Sequence, residues 1–172
     1  MELTIREATC ADAPGVARVH AASWRTTYPG IFPAELLERL TPEAREPMWR
    51  RILCDEPRPG FVYVALGDDG RVVGFAHGGA ESTGEPHLTG ELYAIYLLAE
   101  HQRRGLGRAL FSLVRGRLRA LGHQGMLVWV ATANDPARRF YEAMGGLAVR
   151  ERTVELFGVP VAETAYGWPP EG

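Results

Sequence analysis

Lysine is absent from the chain, and all 19 basic residues among its 172 are arginine. That absence removes Schiff-base chemistry and every mechanism that needs a phosphate-binding loop lysine. Cysteine is nearly absent as well: Cys10 and Cys54 stand far apart, with no CxxC or metal-ligand spacing. In a reducing compartment two such residues are expected to be buried small hydrophobes, and neither carries a nucleophile signature. No eighteen apolar residues run together, and Met1 to Glu7 carries charge where a secretory leader would need an apolar stretch. The expectation is a cytoplasmic protein without a membrane partner. Charge of one sign is also missing, since 19 basic residues against 21 acidic give a net charge of -2. No global field therefore favours nucleic acid.

What remains is an ordinary globular composition, 46% apolar and 23% charged, with room for one well-buried core and a single domain spanning 1–172. Leu3 to Ala8 alternates as a first strand, and a helix over Pro14 to Tyr28 follows with Val16, Val19, His20, Ser23, Trp24 and Thr27 on one stripe. Pro33 to Leu40, and then a stretch capped by Thr41 and reaching Cys54, give a second helical region that Pro47 could kink. Phe61 to Leu66 and Val72 to Ala80 form a hairpin around Gly67, Asp68, Asp69 and Gly70, and Glu91 to Leu97 reads as a central strand. Gly105 to Leu121 carries Leu106, Ala109, Leu110, Leu113, Leu118 and Leu121 at helical spacing. A strand at Met126 to Val130, a helix at Pro136 to Met144 and a closing pair, Leu147 to Leu156 and Val159 to Tyr166, complete an α+β order without repeats.

Chemistry concentrates in one stretch. Between His101 and Asn134 there are six arginines (Arg103, Arg104, Arg108, Arg115, Arg117, Arg119) and no Asp or Glu. It opens Gln102, Arg103, Arg104, Gly105, Leu106, Gly107 and runs straight into a helix. Glycines there let backbone N–H groups and the positive helix end approach phosphate oxygens. The dinucleotide fingerprint fails at Leu110, where glycine is required, and the Walker pattern fails for want of lysine. A plain helix start with a solvated arginine face is the bland alternative, above all for Arg115, Arg117 and Arg119.

Gln102 to Gly107 resembles the QxxGxG signature of the GNAT N-acetyltransferase superfamily. Asn134, Ala137, Phe140, Tyr141 and Gly145 resemble that family's NxxAxxFYxxxG pattern, correctly ordered after it. Gly146 departs from the pattern where an aromatic is common, which should weaken packing at that corner. The resemblance implies a mixed, mostly antiparallel sheet with helices on both faces and a cleft where two central strands splay. It also implies acetyl-coenzyme A as cosubstrate and no metal. Phosphates would lie on Arg103, Arg104, Gly105, Leu106, Gly107 and Arg108, with the pantetheine pairing to Ile95, Tyr96 and Leu97. Asn134, Ala137 and Phe140 would complete the cofactor site, with Asn134 left free because Asp135 before Pro136 makes the better helix cap.

By the same resemblance Tyr141 is the general acid for the departing thiolate. A glutamate eleven residues before the loop glutamine, Glu91, is the expected base, its pKa raised in an apolar strand; His77 and Glu81 are the other candidates. Trp24, Tyr28 and His77 would line the acceptor pocket, and Arg25 could meet an acidic substrate group. The acceptor would be a primary amine of a small molecule or a protein, at an N-terminus or lysine, and homodimers are frequent among such proteins. The alternatives are a coenzyme A binding or sensing domain without turnover and, further off, a nucleic-acid module using the arginines.

Overall fold

Hydrophobic alternation and glycine-marked turns lay out seven strands and five α-helices in residues 4–171, the residues that the computed structural model describes. They are β1 (Thr4–Glu7), α1 (Ala13–Thr27), α2 (Ala34–Arg39), α3 (Pro42–Cys54), β2 (Phe61–Leu66), β3 (Val72–Ala80), β4 (Gly90–Leu97), α4 (Leu106–Ala120), β5 (Met126–Ala131), α5 (Asp135–Ala143), β6 (Leu147–Leu156) and β7 (Val159–Trp168). Leu3, assigned by its alternation to the first strand, lies outside the described residues.

All strands join one sheet in the order β1-β2-β3-β4-β5-β7-β6. Every pairing is antiparallel except β4 with β5, which is parallel and holds at two positions only, Gly90 opposite Met126 and Glu91 opposite Leu127. Past those residues the two strands diverge, and one edge of each is left without a ladder partner. Just there β4 bulges: His77 faces Ala94 and Gly78 faces Leu92, so Tyr93 is the extra residue. Such a bulge bends and twists its strand.

Helices cover both faces. On one, α4 buries Leu106, Leu110, Phe111, Val114 and Leu118 against β3, β4 and β5, and α5 adds Tyr141. Each such side chain contributes about 1.5–3 kcal/mol by burial. The stripe differs from the expected one, because Leu113 and Leu121 point to solvent while Phe111 and Val114 face the sheet. The ridge that reaches the sheet follows i, i+4, i+5 and i+8 from Leu106, and a count of leucines alone cannot distinguish it. On the other face α1 and α3 pack Val16, Val19, Trp49 and Leu53 over β2 and β3. Thr41 caps α3 through Ala44 N–H, and the helix runs unbroken past Pro47.

Two expectations fail. Cys10 and Cys54 are not buried thiols but an exposed disulfide joining the turn before α1 to the last residue of α3, because these helices are antiparallel neighbours whose ends bring the Cα atoms to 4.7 Å. The corner at Gly146 is not loosely packed either. A Cβ there would lie 2.5 Å from the Trp168 ring, so an aromatic from β7 fills the space, held by its Nε1–H donating to the Met144 carbonyl at 3.0 Å.

Candidate active site

The segment after β4 is anchored before it turns. Leu98 N–H donates to the Val73 carbonyl at 2.9 Å, and the Gln102 amide donates back to the Leu97 carbonyl at 3.2 Å. Arg103 then takes φ +59° and Gly105, at the N-cap of α4, takes φ +83°. No side chain caps this helix. Among the described residues, the six consecutive amides of Arg103 to Arg108 donate to no backbone or side-chain acceptor. Arg103, Arg104, Gly105 and Arg108 are exposed around them. A run of unpaired N–H groups leading into a helix N-terminus can receive an anion. Gly107 supports that use: a Cβ added there would meet Phe140 and Leu97 at 3.4 and 3.5 Å, ordinary contact, so the fold itself does not demand glycine. The arginines further along are otherwise engaged, Arg115 and Arg119 with Glu171 at 3.2 Å each and Arg117 with Glu7 at 3.5 Å.

Behind the loop, Ile95 and Leu97 turn toward α4 and α5, and Tyr96 turns the other way toward α1. Ala137 and Phe140 pack on the α4 side. Asn134 is the N-cap of α5, its Oδ1 accepting from Ala137 N–H at 3.3 Å, so the cap falls one residue before Asp135. That bond engages Oδ1, while Nδ2 donates no hydrogen bond among the described residues.

Tyr141 lies on the inner side of α5, 6% exposed, and its hydroxyl has no hydrogen-bond partner among the described residues. Burial raises its pKa, with the Tyr28 hydroxyl adding to the effect. The Tyr28 and Tyr96 hydroxyls meet at 3.0 Å, and burial raises both of these as well. Three phenols, from the residue capping α1 and from β4 and α5, thus gather where β4 and β5 part, all protonated at neutral pH.

Glu91 sits at the closed end of the splay, 7% exposed. Its Oε1 accepts from Ser82 N–H at 3.1 Å and from the Ser82 hydroxyl at 3.0 Å, while Oε2 carries no hydrogen bond among the described residues. Burial raises its pKa, and the Ser82 bonds pull against that. Arg152 acts on it electrostatically. That guanidinium stacks 3.9 Å from the Trp129 ring centroid and bridges Glu163 at 2.8 Å. Arg152, Trp129 and Glu163 escaped the reading of the sequence because they sit on strands whose only local signal is alternation.

The other two base candidates are spoken for. His77 is wedged between Trp49 and Tyr93 and bonds the Pro59 carbonyl through Nε2 at 2.7 Å; burial lowers its pKa. Glu81 organises its own loop, accepting from Thr83 and from Glu85 N–H, bonds that outweigh burial and lower its pKa. Trp24 packs edge-on and face-on among Tyr28, Phe32 and Phe157, with centroids 4.5 to 5.9 Å away. Among the described residues Arg25 hydrogen-bonds only the Glu38 carbonyl, at 3.5 Å.

The acetyltransferase (GNAT) family profile matches residues 22–146. The chain belongs to the GNAT acetyltransferase family. The uncharacterized N-acetyltransferase YuaI of Bacillus subtilis (strain 168) is 40% identical over 167 residues, covering 97% of this chain and 93% of that protein. Among solved structures, a GCN5-related N-acetyltransferase from Rhodopseudomonas palustris superposes with TM-score 0.76 at 20% identity, over 98% of this chain and 96% of that one. A phosphinothricin acetyltransferase from Sinorhizobium meliloti, in complex with AcCoA, gives 0.68 at 24% identity over 99% and 89%. The GNAT match ends at Gly146, just before β6. The wall of this acetyltransferase that carries Arg152, Phe157 and Glu163 therefore lies outside the matched segment. Among the described residues no helix is long and apolar enough to cross a membrane, and no group of three or more His, Cys, Asp or Glu side chains is placed to hold a metal ion.

Proposed function

We propose that this acetyltransferase moves an acetyl group from acetyl-coenzyme A directly to a primary amine, with Glu91 as base and Tyr141 as acid. The observation that carries the reading is the row of six unpaired amides from Arg103 to Arg108, placed at the mouth of the β4–β5 splay. A diphosphate suits it. Charge-assisted bonds to such amides contribute about 1.5–3 kcal/mol each, and no protein atom lies within 4 Å of where a Cβ would stand at Gly105, so that side of the loop is open to phosphate. Acetyl-coenzyme A supplies the activated acyl group as a thioester.

The remaining steps are tasks for side chains and backbone. An acceptor amine arrives as an ammonium at neutral pH and must lose a proton before its lone pair can attack. Glu91 offers Oε2, and its burial makes it a better proton acceptor than a surface carboxylate. Negative charge that develops on the acyl oxygen can be met by unladdered N–H groups along β4 beyond the Tyr93 bulge, the role of an oxyanion hole. Tyr141 keeps its proton at neutral pH and shares it with no protein acceptor among the described residues, so it is available to the departing thiolate. Ile95, Tyr96 and Leu97 supply the strand edge, and Ala137 and Phe140 the apolar floor beneath the loop.

Titration with acetyl-coenzyme A followed by thermal melting tests the cradle; at a hundredfold excess over Kd the stabilisation should reach about 2.7 kcal/mol. Thiol release against a panel of amines then tests transfer. No thermal shift at millimolar cosubstrate overturns the reading. Binding without thiol release for any amine leaves a sensor rather than an enzyme.

A further inference from the structure

Away from the phosphate loop, a cavity of about 240 Å³ opens between α1, α3 and the tip of the β6–β7 hairpin, lined by His20, Trp24, Leu40, Arg45, Leu156 and Phe157. Its wall is apolar apart from the N–H donors of Arg45, His20 and Trp24. Among the described residues Arg45 makes no ion pair and no hydrogen bond, and its Nε is buried without a partner. His20 accepts from Trp49 Nε1–H at 3.0 Å through Nδ1, so in the neutral ring the proton sits on Nε2. The ring is neutral, because burial and the neighbouring Arg45 charge push its pKa down to about 4. A half-buried guanidinium facing an apolar hollow is a costly arrangement unless an anion meets it.

The second observation is in the backbone. Phe157 and Gly158 turn the hairpin with φ +52° and +77°. A two-residue turn of that hand favours Asn-Gly, and a bulky residue in the first position is strained. The ring is also half exposed, so burial does not explain it. It lies over the cavity mouth instead, 5.6 Å from the Arg45 guanidinium carbon and edge-on to Trp24 at 5.9 Å. Strained residues of this kind gather at ligand clamps.

We infer that this cavity binds a carboxylate borne on a small apolar body, its oxygens on Arg45 and the His20 Nε2–H and its body under Phe157. The wall behind it leads to the catalytic centre: Trp24 touches Tyr28 at 4.5 Å between centroids, and His20 stacks on Tyr96 at 5.8 Å. The carboxylate is therefore either the far end of the amine acceptor or a separate ligand, and the first of these rests on the acetyl-transfer reading.

Calorimetry with 3-phenylpropanoate and 3-phenylpropanamide tests the site without turnover. The carboxylate should bind saturably, and the amide at least about tenfold more weakly, as expected when one charge-assisted bond is lost. Arg45→Gln should lose about tenfold in carboxylate affinity while holding or raising the melting temperature of the unliganded protein. Phe157→Gly relaxes the turn, so it should hold or raise the melting temperature while weakening the carboxylate. Equal binding of acid and amide, an Arg45→Gln affinity matching the wild type, or no saturation by the acid at about 10 mM overturns the site. Two amines then identify the source. If Arg45→Gln raises KM about tenfold for 6-aminohexanoate and leaves hexylamine unchanged, the carboxylate belongs to the acceptor; if both are unchanged and 3-phenylpropanoate still binds, it belongs to a separate ligand. Calorimetry needs no acetyl transfer, so failure of the cavity leaves the proposed reaction standing, and failure of the reaction leaves the cavity standing.

Discussion

On the loop between β4 and α4, the groups offered to a ligand are main-chain amides drawn from six consecutive residues. On the opposite wall they are rings, hydroxyls and carboxylates drawn from α1, α3, β4 and the β6–β7 hairpin. The first kind of recognition depends on backbone shape and needs only glycine and a helix start, and it suits a ligand part that never varies. The second depends on side chains far apart in sequence, each free to change without disturbing the sheet. One molecule thus joins a fixed half to an adjustable half, and the Tyr28, Tyr96 and Tyr141 hydroxyls lie at the seam.

The seam should give the largest effect. Tyr141→Phe keeps the ring that packs against Phe140, Tyr166 and Trp168 but removes the proton. Turnover should fall by about 10²–10⁴, the usual contribution of a positioned acid, with acetyl-coenzyme A affinity within twofold of wild type. Steady-state kinetics beside a binding isotherm separates the two. If turnover is retained, Tyr141 belongs to the packing of the fixed half alone.

The disulfide lies outside both halves, at the ends of α1 and α3, and so gives a control. It closes a loop across 44 residues, and the double substitution Cys10→Ser with Cys54→Ser should lower stability by about 2–4 kcal/mol, mostly through a freer unfolded chain. Thermal melts with and without reductant measure this. Acetyl-coenzyme A affinity should not follow, and if it does, the helix layer is coupled to the loop.

Two glycines sharpen the contrast within the loop itself. Gly105→Ala places a Cβ at φ +83° and should cost about 1 kcal/mol of stability. Gly107→Ala meets only ordinary contacts and should leave stability unchanged or slightly higher, yet weaken acetyl-coenzyme A about tenfold by narrowing the approach to the amides. A Gly107→Ala protein that binds the cosubstrate normally would remove the case for a close phosphate.

These differences follow how legible each half is in the sequence. The loop was readable because Gln102, Gly105 and Gly107 are local signals whose spacing alone dictates a turn into a helix. The hairpin at Gly67 to Gly70 and the bounds of β2, β3 and β6 were readable for the same reason. The cap of α5 is ambiguous in the sequence because Asn and Asp both make good caps, and it is Asn134 rather than Asp135 that takes the position once β5 delivers the chain. The pairing of Cys10 with Cys54 is a property of how α1 packs on α3, and a sequence separation of 44 carries no trace of it. Arg152 over Trp129, and Arg45 beneath Phe157, arise only when the sheet brings β5, β6 and β7 together and sets the hairpin over α3. Side-chain sites made by tertiary contact are invisible to periodicity, and the adjustable half consists of little else.

Glu91 gives the smallest and most specific effect, through stability rather than rate. Its folded-state pKa is raised above the ordinary carboxylate value by burial, so within that window the folded protein holds a proton that the unfolded chain has released. Stability contributed at this site is complete below the ordinary value and is lost as the pH climbs through the raised one. Glu91→Gln cannot ionise and should keep the Ser82 bonds through its amide oxygen. Its melting temperature should match wild type at acid pH and exceed it by a few degrees at most near pH 8. Ser82→Ala, which removes a bond that favours the ionised form, should move the wild-type decline toward higher pH. A Glu91→Gln protein that melts below wild type at alkaline pH would mean that the carboxylate is stabilised as a charge, and Glu91 would then belong with the structural carboxylates such as Asp12, whose pKa is lowered by its bond to Arg6.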